Sequence, residues 1–220
     1  MSNLSVLRTY AQTSPSKLPP SVLFSSTSTS MTVFDAFPKA IFHFLILPRI
    51  QPPFTTSELS NLRTLLKGDK ERAKEVITAL NEDAKTLHKE IEEEMMARYG
   101  FKWGICTGFH AVPSMNHVHL HVISDDFCSD RLKNKKHYNS FHPKLGFFIS
   151  LDEVLSWFEA TPSYYSSMIK LDEKQYEPIL KEDLVCWRCH KSMKNIPTLK
   201  AHLQEEWETQ ARREKAKLAK

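Results

Sequence analysis

The sequence predicts an α+β fold, in which a mostly antiparallel sheet packs against one long helix and a small C-terminal module follows. Two observations carry this reading. Between residues 69 and 98, Ala73, Val76, Ile77, Leu80, Ala84, Leu87, Ile91 and Met95 recur at three- and four-residue steps, forming the single apolar stripe of a helix lying on a core. On both sides of it stand short runs rich in β-branched and aromatic residues, separated by turn-prone residues, which read as strands. One long helix against such a sheet is an α+β plan.

The elements follow in chain order. Residues 1–20 contain Pro15 and the pair Pro19-Pro20 and are expected to form a flexible arm. Residues 21–24, 31–34 and 41–47 read as strands, the third stopped by Pro48. The long helix ends at Gly100, a residue suited to a helix C-terminus. Residues 101–109 and 117–123 read as two further strands joined by a loop containing Pro113. The stretch 125–141 is polar and basic, 151–160 suits a short helix, and Thr161-Pro162 breaks the pattern. This divides the chain into a main domain, 21–160, and a module, 161–220, whose final helix begins near Pro197 and ends in Arg212, Arg213, Lys215, Lys217 and Lys220.

Composition narrows the class. With 220 residues the chain has room for one ordinary domain and a small appendage. Its 41% hydrophobic and 25% charged residues exclude the disordered and fibrous classes. No apolar run reaches the roughly 20 residues of a membrane span, because residues 41–47 are interrupted by His43. The four cysteines, Cys106, Cys128, Cys186 and Cys189, occur without a secretory segment, so a reducing compartment without disulfides is expected. The first 34 residues contain no Asp or Glu, as in a mitochondrial transit peptide, yet only Arg8 and Lys17 supply positive charge. A net charge of +4 is a weak field, so the local placement of charge matters more than its sum.

The most informative stretch is His117-Val118-His119-Leu120-His121-Val122-Ile123. In an extended strand alternate side chains share a face, so the imidazoles of His117, His119 and His121 would line one side and the aliphatic residues the other. A solvated strand rarely carries such a row. Two chemical readings remain open: a metal site of imidazoles, or a neutral imidazole acting as nucleophile with its neighbours managing protons.

A second constellation lies in the module. Cys186-x-x-Cys189 is followed after twelve residues by His202 on the expected helix, close to the two-Cys, two-His zinc-finger spacing. The expected last histidine is replaced by Glu206, four residues on and on the same helix face, with Glu205 a poorer substitute. Ile196 and Leu199 suit a miniature finger core, and one structural Zn2+ is expected.

The run His-x-His-x-His followed by two hydrophobic positions resembles the signature of the histidine triad superfamily of nucleotide hydrolases and transferases. The flanking segments narrow it. His110-Ala-Val-Pro-Ser114-Met-Asn-His117, the run from Phe37 through Lys39 and His43 to Pro48, and Leu132 through His137 to Phe141 resemble the aprataxin family, in its short fungal form without a forkhead-associated domain. That resemblance implies a histidine triad fold and a nuclear DNA-repair hydrolase that removes AMP from 5′-adenylated DNA ends. His119 would be the covalent nucleophile, with His110, Ser114, His117 and His121 around the phosphate and Lys39 and His43 supplied by the neighbouring strand. His110 would act near the leaving group, and His117 would orient His119. It further implies DNA contacts by Lys133, Lys135, Lys136 and His137, and an aromatic stack of Phe37 on the terminal base pair. Zinc would be held by Cys186, Cys189, His202 and Glu206, with no metal required for the chemical step. A monomer acting on DNA, with AMP as product and no membrane, is the expected working form. The rival is a triad enzyme acting on small nucleoside phosphoramidates or dinucleotides; a finger protein with a vestigial triad is disfavoured by the complete set of histidines.

Overall fold

The computed structural model describes residues 3–218, so Lys220 lies outside the described residues. Six strands, β1 (Leu23–Ser26), β2 (Ser30–Phe34), β3 (His43–Pro48), β4 (Ile105–His110), β5 (Leu120–Ser124) and β6 (Phe148–Ser150), form one sheet in the order β1-β2-β3-β5-β4-β6. All neighbouring pairs are antiparallel. The helices in chain order are α1 (Val6–Gln12), α2 (Leu62–Lys67), α3 (Lys70–Tyr99), α4 (Lys135–Asn139), α5 (Leu151–Glu159), α6 (Pro162–Met168), α7 (Glu173–Tyr176) and α8 (Ile196–Leu218). Among the described residues no helix is long and apolar enough to cross a membrane.

Helix α3 is the long helix of the sequence reading. The Asp69 side chain accepts the Arg72 N–H at 2.9 Å at its start, and Gly100 ends it at φ 72°, donating its N–H to the Met96 carbonyl. Its buried residues are the eight of the stripe, and they pack on Phe44, Ile46, Phe109, Leu120 and Val122. Because strand side chains alternate, that packing fixes what lies on the other face: His43, Leu45 and Leu47 of β3, and His121 and Ile123 of β5. The long helix thereby assigns the imidazoles to the opposite side of the sheet.

Three expectations need correction. Within the expected arm, the described residues include α1, which is not loose but docks on the imidazole side. Leu7 and Ala11, one helical turn apart, are buried, and Leu7 joins Met31, Val33, Leu45 and Leu47. The backbone ties it down further: Asn116 donates to the Leu4 carbonyl and Ile50 to that of Ala11. The fifth strand begins at Leu120 rather than 117, because His117 has φ 107° and leaves the extended conformation. Strand β6 was missing from the sequence reading; its three residues pair with Gly108–His110. A Cβ at Gly108 would stand 2.3 Å from the Ile149 carbonyl oxygen, so this pairing requires a residue without a side chain.

The C-terminal module does not own a separate interior. Cys186, Met193, Leu199 and Leu203 share one cluster with Ile123 of β5, Phe148 of β6 and Phe127, Leu132, Tyr138 and Phe141. Polar bonds clamp the same junction. The Tyr138 hydroxyl donates to the Val185 carbonyl and accepts from the Trp187 N–H, while Arg188 pairs with Asp125 at 2.6 Å. Asp125 directly follows β5.

Leu7→Ala is expected to destabilise the protein by about 2–5 kcal/mol, as for other large-to-small core changes, while Thr9→Ala on the exposed side stays within about 0.5 kcal/mol. Urea denaturation of both variants checks this. Equal, small losses would mean that α1 contributes no packing.

Candidate active site and metal centre

The imidazole face carries His43, His110, His119 and His121, with His117 tucked behind. Ring centroids of His110 and His121 are 4.5 Å apart, those of His119 and His121 5.0 Å, and Phe141 packs against His43, His110 and His121. Rings held in contact in this way leave little room for water.

Hydrogen-bond partners assign the protons. A carbonyl can only accept, so His119 Nδ1, at 2.7 Å from the His117 carbonyl oxygen, must carry hydrogen. In the neutral ring that leaves the Nε2 lone pair of His119 facing the site. The Lys39 backbone N–H donates to His43 Nδ1 at 3.2 Å, which puts the His43 proton on Nε2. That proton points at His121 Nδ1, 3.0 Å away, and obliges neutral His121 to carry its own on Nε2, which is buried without a partner. The result is one bare nucleophilic nitrogen beside one unused N–H donor. His117 donates from Nε2 to the Pro48 carbonyl at 2.7 Å.

The same pattern bears on the metal reading of the histidines. Asp35, His43 and His121 bring ligand atoms within 4.8 Å of one another, a spacing a metal could use. The proton on His43 Nε2, directed at His121 with Asp35 Oδ2 at 3.6 Å, occupies the position the cation would need. Hydrogen bonding explains this group; ligation would require the opposite tautomer, which sets a ring N–H against that of Lys39.

Burial dominates the electrostatics. Loss of water pushes His43 down to about 4 despite the counteracting Asp35 carboxylate, and holds His117 down at about 4. It lowers His119, and drives His110 and His121 well below the ordinary imidazole value, with the surrounding rings and Lys39 adding repulsion. Lys39 is itself buried, its pKa lowered by desolvation, and its Nζ bonds the Phe37 carbonyl. Buried nitrogens of His110, His117 and His121 lack partners. Such a site is poised to receive hydrogen-bonding anionic oxygens.

The remaining expected residues divide. Ser114, Lys136 and His137 join His110 in a cleft of about 360 Å³ that extends to Glu173 and Glu177 of the module. Phe37 is 62% exposed, beneath the Arg131 guanidinium at 5.8 Å. Lys133 is exposed, whereas Lys135 turns toward the module and pairs with Asp183 at 3.2 Å. Two residues that sequence reasoning missed are acidic. Asp35 flanks His43, and buried Asp126 accepts the Ile41 N–H, the Trp103 indole N–H and the Ser124 hydroxyl, tying the loop after Lys39 to the end of β5. Single carboxylates have no spacing signature that could have revealed them.

In the module, Cys186, Cys189 and His202 gather their ligand atoms within 4.8 Å, with Cys189 Sγ 3.2 Å from His202 Nε2. Two thiols and an imidazole at this spacing fit zinc. The Glu206 carboxylate stands 3.5 Å from His202 Nε2.

An imidazole held by the carbonyl of the histidine two residues earlier, on an antiparallel sheet backed by one long helix, defines a histidine triad protein, here carrying a zinc finger. The chain is 33% identical to the aprataxin-like protein of Saccharomyces cerevisiae over 79% of its own length and 82% of that protein, and 32% identical to aprataxin of Ciona intestinalis over 84% of its length. It belongs to the aprataxin family. It spans 42% of the Ciona protein and 46% of zebrafish aprataxin. Residues 9–137 match the family described as scavenger mRNA decapping enzyme C-term binding, and residues 144–209 the C2HE / C2H2 / C2HC zinc-binding finger. The crystal structure of aprataxin ortholog Hnt3 in complex with DNA superposes with a TM-score of 0.67 at 27% identity, over 97% of both chains. Cys186, Cys189 and His202 thus form the structural zinc site of that finger.

A depressed imidazole pKa means that the unfolded chain binds more protons between about pH 4 and 6.5, so stability is retained above that window and lost as pH falls through it. Carbon-13 NMR titration of the histidine rings is expected to show His43 and His117 titrating near pH 4. Midpoints near 6.5 would contradict the burial described.

Proposed function

We propose that this chain removes AMP from 5′-adenylated DNA ends through a covalent His119–AMP intermediate. The observation that carries the reading is the Nε2 lone pair of His119, freed by the His117 carbonyl and set beside buried, unpartnered imidazole nitrogens. His119 Nε2 attacks the AMP phosphorus, the bond to the bridging oxygen breaks, and the DNA departs with its 5′-phosphate. Water then attacks the same phosphorus, passing one proton to His110 and breaking the P–N bond, which releases AMP and neutral His119. The substrate's negative charge raises the proton affinity of His110, which takes up a proton from solvent on substrate binding and gives it to the departing phosphate, returning to its neutral form. His121 donates its Nε2 hydrogen to a phosphoryl oxygen, oriented by His43, and Lys39 neutralises charge nearby. Such preorganised donors are worth on the order of 3 kcal/mol each in comparable sites. His117 acts through its backbone and Ser114 lines the leaving-group cleft. The imidazole is itself the nucleophile, so no metal is needed for the step.

DNA as substrate is supported by family membership, by the DNA complex of the similar Hnt3 chain, and by the fusion of the finger to the catalytic sheet. Exposed Phe37 and Arg131 form a platform for a terminal base pair. Lys133, Lys136 and His137 hold backbone phosphates, with Lys135 reaching them only by leaving Asp183. Glu206 completes the zinc shell. A nuclear repair role follows from this substrate.

His119→Ala is expected to lower AMP release from a 5′-adenylated nicked duplex by a factor on the order of 10⁴ or more. Mass spectrometry of alkali-quenched wild type, in which a histidine P–N bond survives, should find one adenylate on His119. Preference for a free dinucleotide over the nicked duplex at matched salt would favour the small-molecule reading instead.

Metal analysis should return one zinc per chain, and Glu206→Gln should weaken zinc affinity at least about tenfold in competition with a chelating dye. Unchanged affinity would exclude Glu206 as a ligand.

A further inference from the structure

A groove of about 660 Å³ lies between β1–β3 and the C-terminal half of α3, with Asp35 and His43 at one end, where it meets the margin of the imidazole site. Phe24, Phe34 and Phe44 form its floor, with ring centroids 5.0–5.5 Å apart. Phe24 and Phe34 are 39% and 40% exposed, an unusual amount for neighbouring aromatic rings on a sheet otherwise well covered. Its wall is acidic. Glu90, Glu93 and Glu94 share one face of α3, and Asp35 stands at the far end. The lining cation is Arg98, already bonded to Glu94, and among the described residues Glu90 and Glu93 have no ion-pair partner.

We propose that this groove docks a basic segment of another protein, in which an aromatic or branched aliphatic side chain seats on the phenylalanines and flanking Lys or Arg residues meet the glutamates. The argument is charge complementarity over an apolar floor. Carboxylates along one wall repel a nucleic-acid backbone, whereas an alternation of cationic and apolar side chains satisfies both surfaces at once. Phe44 and α3 lie on the face opposite His110, His119 and His121, so such a partner can be held while those three rings stay uncovered. This inference is independent of the substrate assigned above.

The probe is a fluorescein-labelled peptide with one Trp flanked on each side by three Lys, followed by fluorescence anisotropy and by backbone amide NMR. Saturable binding is expected, with shifts centred on Phe24, Phe34, Asp35, Phe44 and residues 90–98. It should weaken at least about tenfold with Phe34→Ala, with the surface double variant Glu90→Lys, Glu93→Lys, and with a peptide bearing Ala in place of Trp. Circular dichroism checks folding, and the glutamate variant tests the groove even if Phe34→Ala unfolds. Absence of saturable binding, affinity unchanged in the glutamate variant, or shifts on the imidazole face or the finger would overturn the proposal.

Discussion

The carbonyl oxygen of His117 decides what His119 can do. A histidine ring has two nitrogens of similar basicity, and only a fixed acceptor on one makes the other a dependable nucleophile. Presenting that oxygen requires His117 at φ 107°, a conformation a residue with a Cβ avoids unless its surroundings impose it. The surroundings do: the His117 N–H is bonded to the Ser60 carbonyl at 2.7 Å, its ring to Pro48, and the next N–H to Leu59. The segment preceding α2 and the end of β3 therefore fix the carbonyl that orients the His119 ring.

Around this point the protein gathers nitrogen-rich groups and withholds both water and counter-charge. Asp35 is the acid nearest the imidazoles, at the margin rather than among them. The rings are neutral at rest because charging them in the interior costs too much, and their unpartnered nitrogens remain available. Of the unpartnered ring nitrogens, His121 Nε2 carries hydrogen and can donate, whereas His117 Nδ1, its proton being on Nε2, can only accept.

Much of this was legible in the amino-acid order where the signal is local and periodic. The α3 stripe declares itself over many turns, alternate histidines declare a shared chemistry, and the Cys-x-x-Cys to His202 interval declares a finger. The failures have a physical pattern too. Helix α1 offers only Leu7 and Ala11 as an inward face, too little to outweigh the prolines that follow. Strand β6 has three residues, too short for alternation to register. The turn at His117 arises from hydrogen bonds to residues far away in sequence, and the pairing of Lys135 with Asp183 spans 48 positions. No window along the chain contains either cause.

The cluster shared by the sheet and the finger has a consequence for the exchange of its parts. Ile123 and Phe148 on one side and Leu199 and Leu203 on the other each complete the interior of the neighbour. A finger excised as a cassette would carry away an unfinished apolar surface and leave its counterpart behind. An exchange of either half alone would thereby leave two incomplete interiors, each exposing apolar surface to water.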